Sequence, residues 1–370
     1  MRKPPKDVDM TQITPQPGIM EIELYQGGKS SIAGRTDVLK LSSNENPLGP
    51  VPAALDATAT AARDMHRYPS TDHAGLRAAI AEVWGLEADR IICGVGSDEV
   101  LQFVTQAFAG PGDEIIHTAH GFSLYPVLIH MAGATAVCVP EQNRVVNVDA
   151  ILGAVTARTR IVLLTNPGNP TGTRISDADL DRLVDALPAH IILVIDAAYA
   201  EYADGYDGGV RHASTKPNVL MTRTFSKIYG LGGLRIGWGY GPRGMIDVMT
   251  RIRQPFNLSV IQLAAAEAAV RDTTWVAACA ALNAEQRARL VGALGQLGIA
   301  CDASDTNFVL ARFADGEEAL AAEAALAADG ILVRGVKGYG FPEALRITVG
   351  DAAQTGRVID SLGRWRGATA

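Results

Sequence analysis

The sequence predicts an α/β protein with a mainly parallel sheet, helices on both of its faces, and a smaller C-terminal α+β domain. Three observations carry this. After residue 50, strand-sized apolar runs alternate with helical patterns, which implies crossover connections between parallel strands. From about residue 255 to 295 the chain turns Ala- and Leu-rich, and beyond it strands and helices mix in a shorter pattern. The length, 370 residues, also exceeds what one ordinary core accommodates.

Residues 1–40, rich in Pro, Gly and polar side chains, read as an arm. A large domain is expected over 41–265 and a small one over 266–370. In DEVLQFVTQAF, the residues Val100, Phe103, Val104, Ala107 and Phe108 recur at helical spacing, and the pattern stops at Gly110-Pro111-Gly112. Strands are expected at EIIHTA, ATAVCVP, RIVLLTN, HIILVIDAA, NVLMTRT and LRIGWGYG, with SDADLDRLVDAL as an intervening amphipathic helix. One long helix is expected across the Ala-rich stretch. The strand NFVLARF, the helix EEALAAEAALAAD, the strands ILVRGV and ALRITVG, and a terminal helix then build the small domain.

Hydrophobic residues make up 48% and charged residues 20%, as in globular proteins, and the net charge of −7 argues against nucleic acid or an anionic membrane as partner. No apolar run exceeds strand length, and the basic N-terminus lacks a signal-peptide core, so a cytoplasmic protein is expected. The four cysteines are scattered and form no C-x-x-C pair, which suits free thiols in a reducing compartment.

The best local signal is TFSKIYGLGGLRIGW, residues 224–238. Thr224, Ser226 and Arg235 bracket Lys227 with hydroxyls and a guanidinium suited to phosphate. A lysine that forms a Schiff base must be a neutral amine, and burial beside another cation favours that state. Asp196 ends a buried strand. It can serve as a helix cap or turn residue, or it can pair with a pyridine nitrogen and keep it protonated. Tyr199, three residues on, and Asn169, in NPGNPTG, could each reach a phenolic ring oxygen. The amides of Ser97 and Asp98 open a helix and form a natural phosphate cradle. Phe122 could stack on an aromatic cofactor or simply pack in the core.

In their order along the chain, G-S-D-E, F-S-L-Y, N-P-G-N-P-T-G, D-x-A-Y and S-K-x(7)-R resemble the fold-type I pyridoxal-phosphate aminotransferases. The segments YQGGKSSIAG, LSSNENPLGP, RYPSTD and LRITVG bring the chain nearest to their histidinol-phosphate branch. The resemblance implies pyridoxal phosphate bound to Lys227 as an internal aldimine, with Asp196 on the pyridine nitrogen. It also places Asn169 and Tyr199 on the ring oxygen and Phe122 on the ring face. Ser97, Asp98, Thr224, Ser226 and Arg235 would then hold the phosphate. Arg346 and Arg334 would take the anionic ends of substrates. Tyr68 and Tyr25 would reach across to a partner subunit, so a homodimer is implied. The implied reaction is transamination between an amino donor and a 2-oxo acid, with histidinol phosphate and 2-oxoglutarate as the pair and aromatic amino acids as the alternative donors. The sequence departs from the family at Gly168, where Asn is common, and at Ala197, where Glu is common.

Two other chemistries find less support. Gly239-Tyr240-Gly241-Pro242-Arg243-Gly244 matches the glycine pattern of nicotinamide oxidoreductases, which needs a further strand ending in an acidic residue about 20 residues on. The chain continues instead as RIRQPFNLSVIQLAAAEAAV. His117 and His120 flank an apolar strand without the Glu of an H-E-x-x-H zinc site, so no metal is expected.

Overall fold

The computed structural model describes residues 13–22 and 27–369. The arm ends in a two-residue strand, β1 (Leu39–Lys40), and helices α1 (Pro52–Ala61) and α2 (Ala74–Trp84) follow. The alternating region then runs β2 (Ile91–Gly94), α3 (Gly96–Phe108), β3 (Glu114–Thr118), α4 (Leu124–Ala132), β4 (Thr135–Val139), α5 (Val148–Gly153) and β5 (Thr159–Thr165). It continues as α6 (Asp177–Ala186), β6 (Ile192–Asp196), α7 (Val210–Thr215), β7 (Val219–Thr224), β8 (Gly237–Tyr240) and α8 (Arg243–Ile252). After α9 (Val260–Arg271) and α10 (Thr273–Gln296) come β9 (Ala300–Cys301), β10 (Phe308–Arg312), α11 (Gly316–Ala328), β11 (Ile331–Leu332), β12 (Arg334–Val336), β13 (Phe341–Thr348) and α12 (Ala352–Thr369).

Among the described residues, the main sheet has seven strands in the order β2-β8-β7-β6-β5-β3-β4. The five strands β4, β3, β5, β6 and β7 run parallel to one another, whereas β8 runs antiparallel to both β7 and β2. Every residue of β6 is buried, as expected for a strand covered on both faces. Its register places Asp196 beside Thr165 of β5 and Thr222 of β7, at the carboxyl ends where parallel sheets gather ligands. Because β8 is antiparallel, the glycine pattern at 239–244 does not open a parallel βαβ unit, and the nicotinamide reading fails on topology.

Two expectations about secondary structure need correction. The stretch at 255–295 is two helices, because Asp272 ends α9 and its side chain accepts a hydrogen bond from the Trp275 amide of α10 (2.9 Å). The run ILVRGV is likewise divided: β11 pairs with β1 of the arm, and β12 with β13 of the small sheet. The short strand β2, at IICG, was not anticipated.

Core packing follows these divisions. Leu39 and Leu41 bury against Leu290, Val309, Leu326 and Ile347, so the end of the arm belongs to the core of the small sheet. Helix α9, which the expected 265/266 boundary crosses, buries Ala265, Ala266, Ala269 and Val270 in the core of the large sheet. No helix among the described residues is long and apolar enough to cross a membrane.

Candidate active site

The carboxyl ends of β5, β6 and β7, the N-terminus of α3, and the strands β12 and β13 converge on a cavity of about 340 Å³. Twelve of the residues singled out in the sequence line it, from Ser97 and Asp98 through Lys227 to Arg346.

Asp196 sits at the floor of this cavity and is 2% exposed. Its carboxylate accepts hydrogen bonds from Thr222 Oγ1 (3.1 Å) and the Tyr125 hydroxyl (3.1 Å), and that hydroxyl also meets Thr165 Oγ1 at 2.6 Å. Burial pushes the Asp196 carboxyl up to about 6, although the two hydrogen bonds oppose it. Lys227 follows β7 in the tight loop before β8, and its Nζ lies 5.6 Å from the centre of the Tyr199 ring. Burial, and next the Arg346 guanidinium, bring the Lys227 amine down to about 8. The two groups the chemistry needs are thus both shifted away from their ordinary charged states.

One wall of the cavity is rich in donors. Arg235, in a left-handed backbone conformation (φ 54), donates to Ser226 Oγ (2.9 Å) and pairs with Asp98 (3.0 Å). The Ser226 amide donates to Thr224 Oγ1 (3.1 Å). Ser97 and Asp98 lie in the first turn of α3, where amides point outward without helical partners. Two glycines permit this convergence. A Cβ on Gly96 would lie 2.6 Å from the Arg235 guanidinium, and one on Gly237 only 2.1 Å from the Ser97 backbone nitrogen.

The opposite wall comes from the small sheet. Arg346, buried in β13, donates to Asn169 Oδ1 (2.5 Å) and the Ser42 carbonyl (3.0 Å). Arg334 faces it across the β12–β13 ladder and lines both the cavity and an adjoining groove of about 1310 Å³. Tyr199 is buried, and its hydroxyl accepts from Asn44 Nδ2 (2.9 Å). Phe122 lines the cavity with its ring edge-on to Tyr125 (5.9 Å, 84°).

Of the remaining expected residues, one lies elsewhere and one is not among the described residues. Tyr68 is 82% exposed and stacks on Phe256 (4.5 Å between ring centres), outside its own chain's cavity. Tyr25 is outside the described residues. The departures at 168 and 197 have local accommodations. A Cβ on Gly168 would lie 2.5 Å from Thr171 Oγ1, and Ala197 is fully buried. His117 and His120 are engaged locally, His117 with the Thr118 carbonyl and His120 with Glu141 (each 3.0 Å).

Sequence reasoning passed over Tyr125, Thr222 and Asn44. Tyr125 and Asn44 stand inside motifs already noticed, and Thr222 shares a face of β7 with Thr224 by the two-residue strand period, so polar residues in apolar company were the available signal.

The family described as aminotransferase class I and II matches residues 36–362. A histidinol-phosphate aminotransferase from Ruegeria pomeroyi is 63% identical over 361 residues, covering 98% of this chain and 100% of its own. Another from Jannaschia sp. is 59% identical and covers 95% of this chain and 97% of its own. The crystal structure of the Sinorhizobium meliloti histidinol-phosphate aminotransferase in complex with pyridoxal-5'-phosphate superposes with a TM-score of 0.87 at 28% identity, over 96% of this chain and 98% of that one. The aspartate aminotransferase of Thermus thermophilus shares the fold, with a TM-score of 0.77 at 22% identity over 89% of this chain and 92% of that one.

Proposed function

Because the chain belongs to the class I and II aminotransferases, we propose that it transfers an amino group between histidinol phosphate and 2-oxoglutarate, with pyridoxal phosphate as cofactor. The observation that carries this is the placement of Lys227, just after β7, in one cavity with Asp196, buried at the end of the central strand. The donor set fits the cofactor. The amides of Ser97 and Asp98, the hydroxyls of Thr224 and Ser226, and Arg235 form a cradle for its phosphate, and Gly96 and Gly237 keep that cradle open.

Bound pyridoxal phosphate supplies an electron sink for the negative charge left when a substrate carbon loses its proton. Lys227 is the amine that would hold it covalently. Its lowered pKa favours the neutral amine, so Nζ would act as base at the substrate's amine-bearing carbon and then as acid toward the cofactor carbon that receives the proton. Asp196 would pair with the ring nitrogen, a cation that compensates its buried charge. Asn169 and Tyr199 would offer polar groups to the ring oxygen, and Phe122 would cover the ring face. Arg346 and Arg334, on neighbouring strands, hold the anionic ends of the substrates.

The working unit is a homodimer in which Tyr68, standing outside its own cavity, serves the phosphate in the other protomer. We place the enzyme in the cytoplasm on the free state of its cysteines.

The test compares histidinol phosphate and phenylalanine as donors to 2-oxoglutarate, in wild type and Arg334→Ala. Histidinol phosphate is expected to be preferred. The variant is expected to lose about tenfold or more in kcat/KM for it, the worth of one charge-assisted contact, and much less for phenylalanine. A wild type that prefers phenylalanine, with an Arg334→Ala variant that does not discriminate, replaces this reading with an aromatic aminotransferase.

A further inference from the structure

Asn44 lies in the loop between β1 and α1, far in sequence from any residue of the proposed cofactor site, yet it is 1% exposed and lines the cavity. Its backbone is left-handed (φ 57), a conformation Asn tolerates better than most residues. Four hydrogen bonds fix it. Its backbone N–H donates to Thr348 Oγ1 (3.0 Å), and Thr348 Oγ1 donates to its Oδ1 (3.2 Å). Its Nδ2 donates to the Tyr199 hydroxyl (2.9 Å), and its carbonyl accepts from Asn307 Nδ2 (2.9 Å).

Thr348 Oγ1 accepts from the Asn44 backbone N–H on one lone pair and gives its single hydrogen to Asn44 Oδ1. The amide oxygen is thereby turned to Thr348 and the NH₂ to Tyr199. A phenol that receives a hydrogen bond on its oxygen keeps its own hydrogen for another partner. Among the described residues the Tyr199 hydroxyl has no second recorded partner, and Tyr199 lines the cavity.

We propose that Asn44, oriented by Thr348 of β13, is a positioning residue that sets Tyr199 as a hydrogen-bond donor into the cavity and ties that donor to the small sheet. This rests on the reading that Tyr199 serves the cofactor's ring oxygen. Thr348 is two residues from Arg346 on the same strand, and Phe308 of the paired strand β10 packs edge-on against the Tyr199 ring (5.2 Å, 84°). A shift of the small sheet therefore moves the amide, the ring contact and Arg346 together.

The experiment follows the pH midpoint of the holoenzyme's visible absorption band. A hydrogen bond donated to the ring oxygen favours its negative form, so losing the donor moves the midpoint up, by about one pH unit for one hydrogen bond. Tyr199→Phe establishes the full size of the shift. Asn44→Gly keeps the left-handed backbone and removes the amide, and Thr348→Val leaves the amide in place but free to turn its oxygen to Tyr199. Both are expected to shift the midpoint in the same direction as Tyr199→Phe, and Thr348→Ser is expected to restore the wild-type value. The charged groups around the phenol, Arg346, Asp196, Asp98 and Lys227, are unchanged in all four variants, so the shift reports the hydrogen bond. A wild-type midpoint in either Asn44→Gly or Thr348→Val overturns the proposal, whatever the change in thermal stability. An unshifted Tyr199→Phe removes the underlying reading of Tyr199, and a wild-type protein that takes up no pyridoxal phosphate removes the proposed function itself.

Discussion

Replacing Asp196 by Asn should make the cofactor-free protein more stable while disabling the enzyme. Burial holds the Asp196 carboxyl at about 6 in the folded chain, against an ordinary value of 3.8, and the hydrogen bonds from Thr222 and Tyr125 only partly offset it. The difference, about 2 units at about 1.4 kcal/mol each, corresponds to roughly 3 kcal/mol of folding free energy. The sign is that of a raised carboxylate. Below about pH 4 the group is protonated in both folded and unfolded chains, and Asp and Asn behave alike. From there to about pH 6 the unfolded chain ionises first and wild type loses stability against the variant, and above about pH 6 the whole difference is present. Asn has the same shape, and the Tyr125 hydroxyl can turn its hydrogen to Thr165, 2.6 Å away, to accept from the new amide. Urea midpoints of both apoproteins, measured near pH 7 and near pH 4 with equal m-values, give the comparison. An Asn variant no more stable than wild type near pH 7, or equally favoured at both pH values, refutes the reasoning. Amino transfer by the same variant should fall by about a hundredfold or more, roughly 3 kcal/mol of barrier, because a neutral amide does not keep the ring nitrogen protonated.

Two further substitutions probe the cradle and the assembly. Gly237→Ala places a methyl 2.1 Å from the Ser97 nitrogen and 2.4 Å from the Gly96 carbonyl carbon, both backbone atoms, so it should cost about 1–3 kcal/mol of stability and weaken cofactor retention. Gly233→Ala, in the preceding loop with nothing within 4 Å, should leave both unchanged, and equal behaviour of the two variants in thermal melts and cofactor dialysis contradicts the packing argument. Tyr68→Phe keeps the stacking on Phe256 but removes the hydroxyl. Sedimentation should still show a dimer while cofactor retention drops, and a stable, fully active monomer in wild type refutes the shared site.

The groups expected to touch the ligand were legible in the sequence for a local reason. In a mostly parallel sheet, ligand-binding residues stand where strands end in turns, and those places carry their own signatures: Ser-Lys before a glycine loop, Asp after a buried strand, Gly-Ser-Asp opening a helix. The periodicity of apolar runs likewise set the alternation of elements and the change to a second pattern near the C-terminus. The division of the Ala-rich stretch at Asp272 was hidden because both helices share one composition; Asp272 caps the second helix, which runs on from the core of the large sheet at Cys279 to that of the small sheet at Leu290 and Leu294. What holds each ligand-facing group in its working state was decided by tertiary structure alone. Tyr125 meets Asp196 from 71 residues away, Asn44 meets Tyr199 from 155, and Arg346 meets Asn169 from 177. No sequence period spans such distances: the first contact depends on how α4 packs on the large sheet, and the other two on how the segment after β1 and the small sheet close over it. The raised carboxyl of Asp196 and the lowered amine of Lys227 are likewise properties of the folded chain, since burial is the first cause of both.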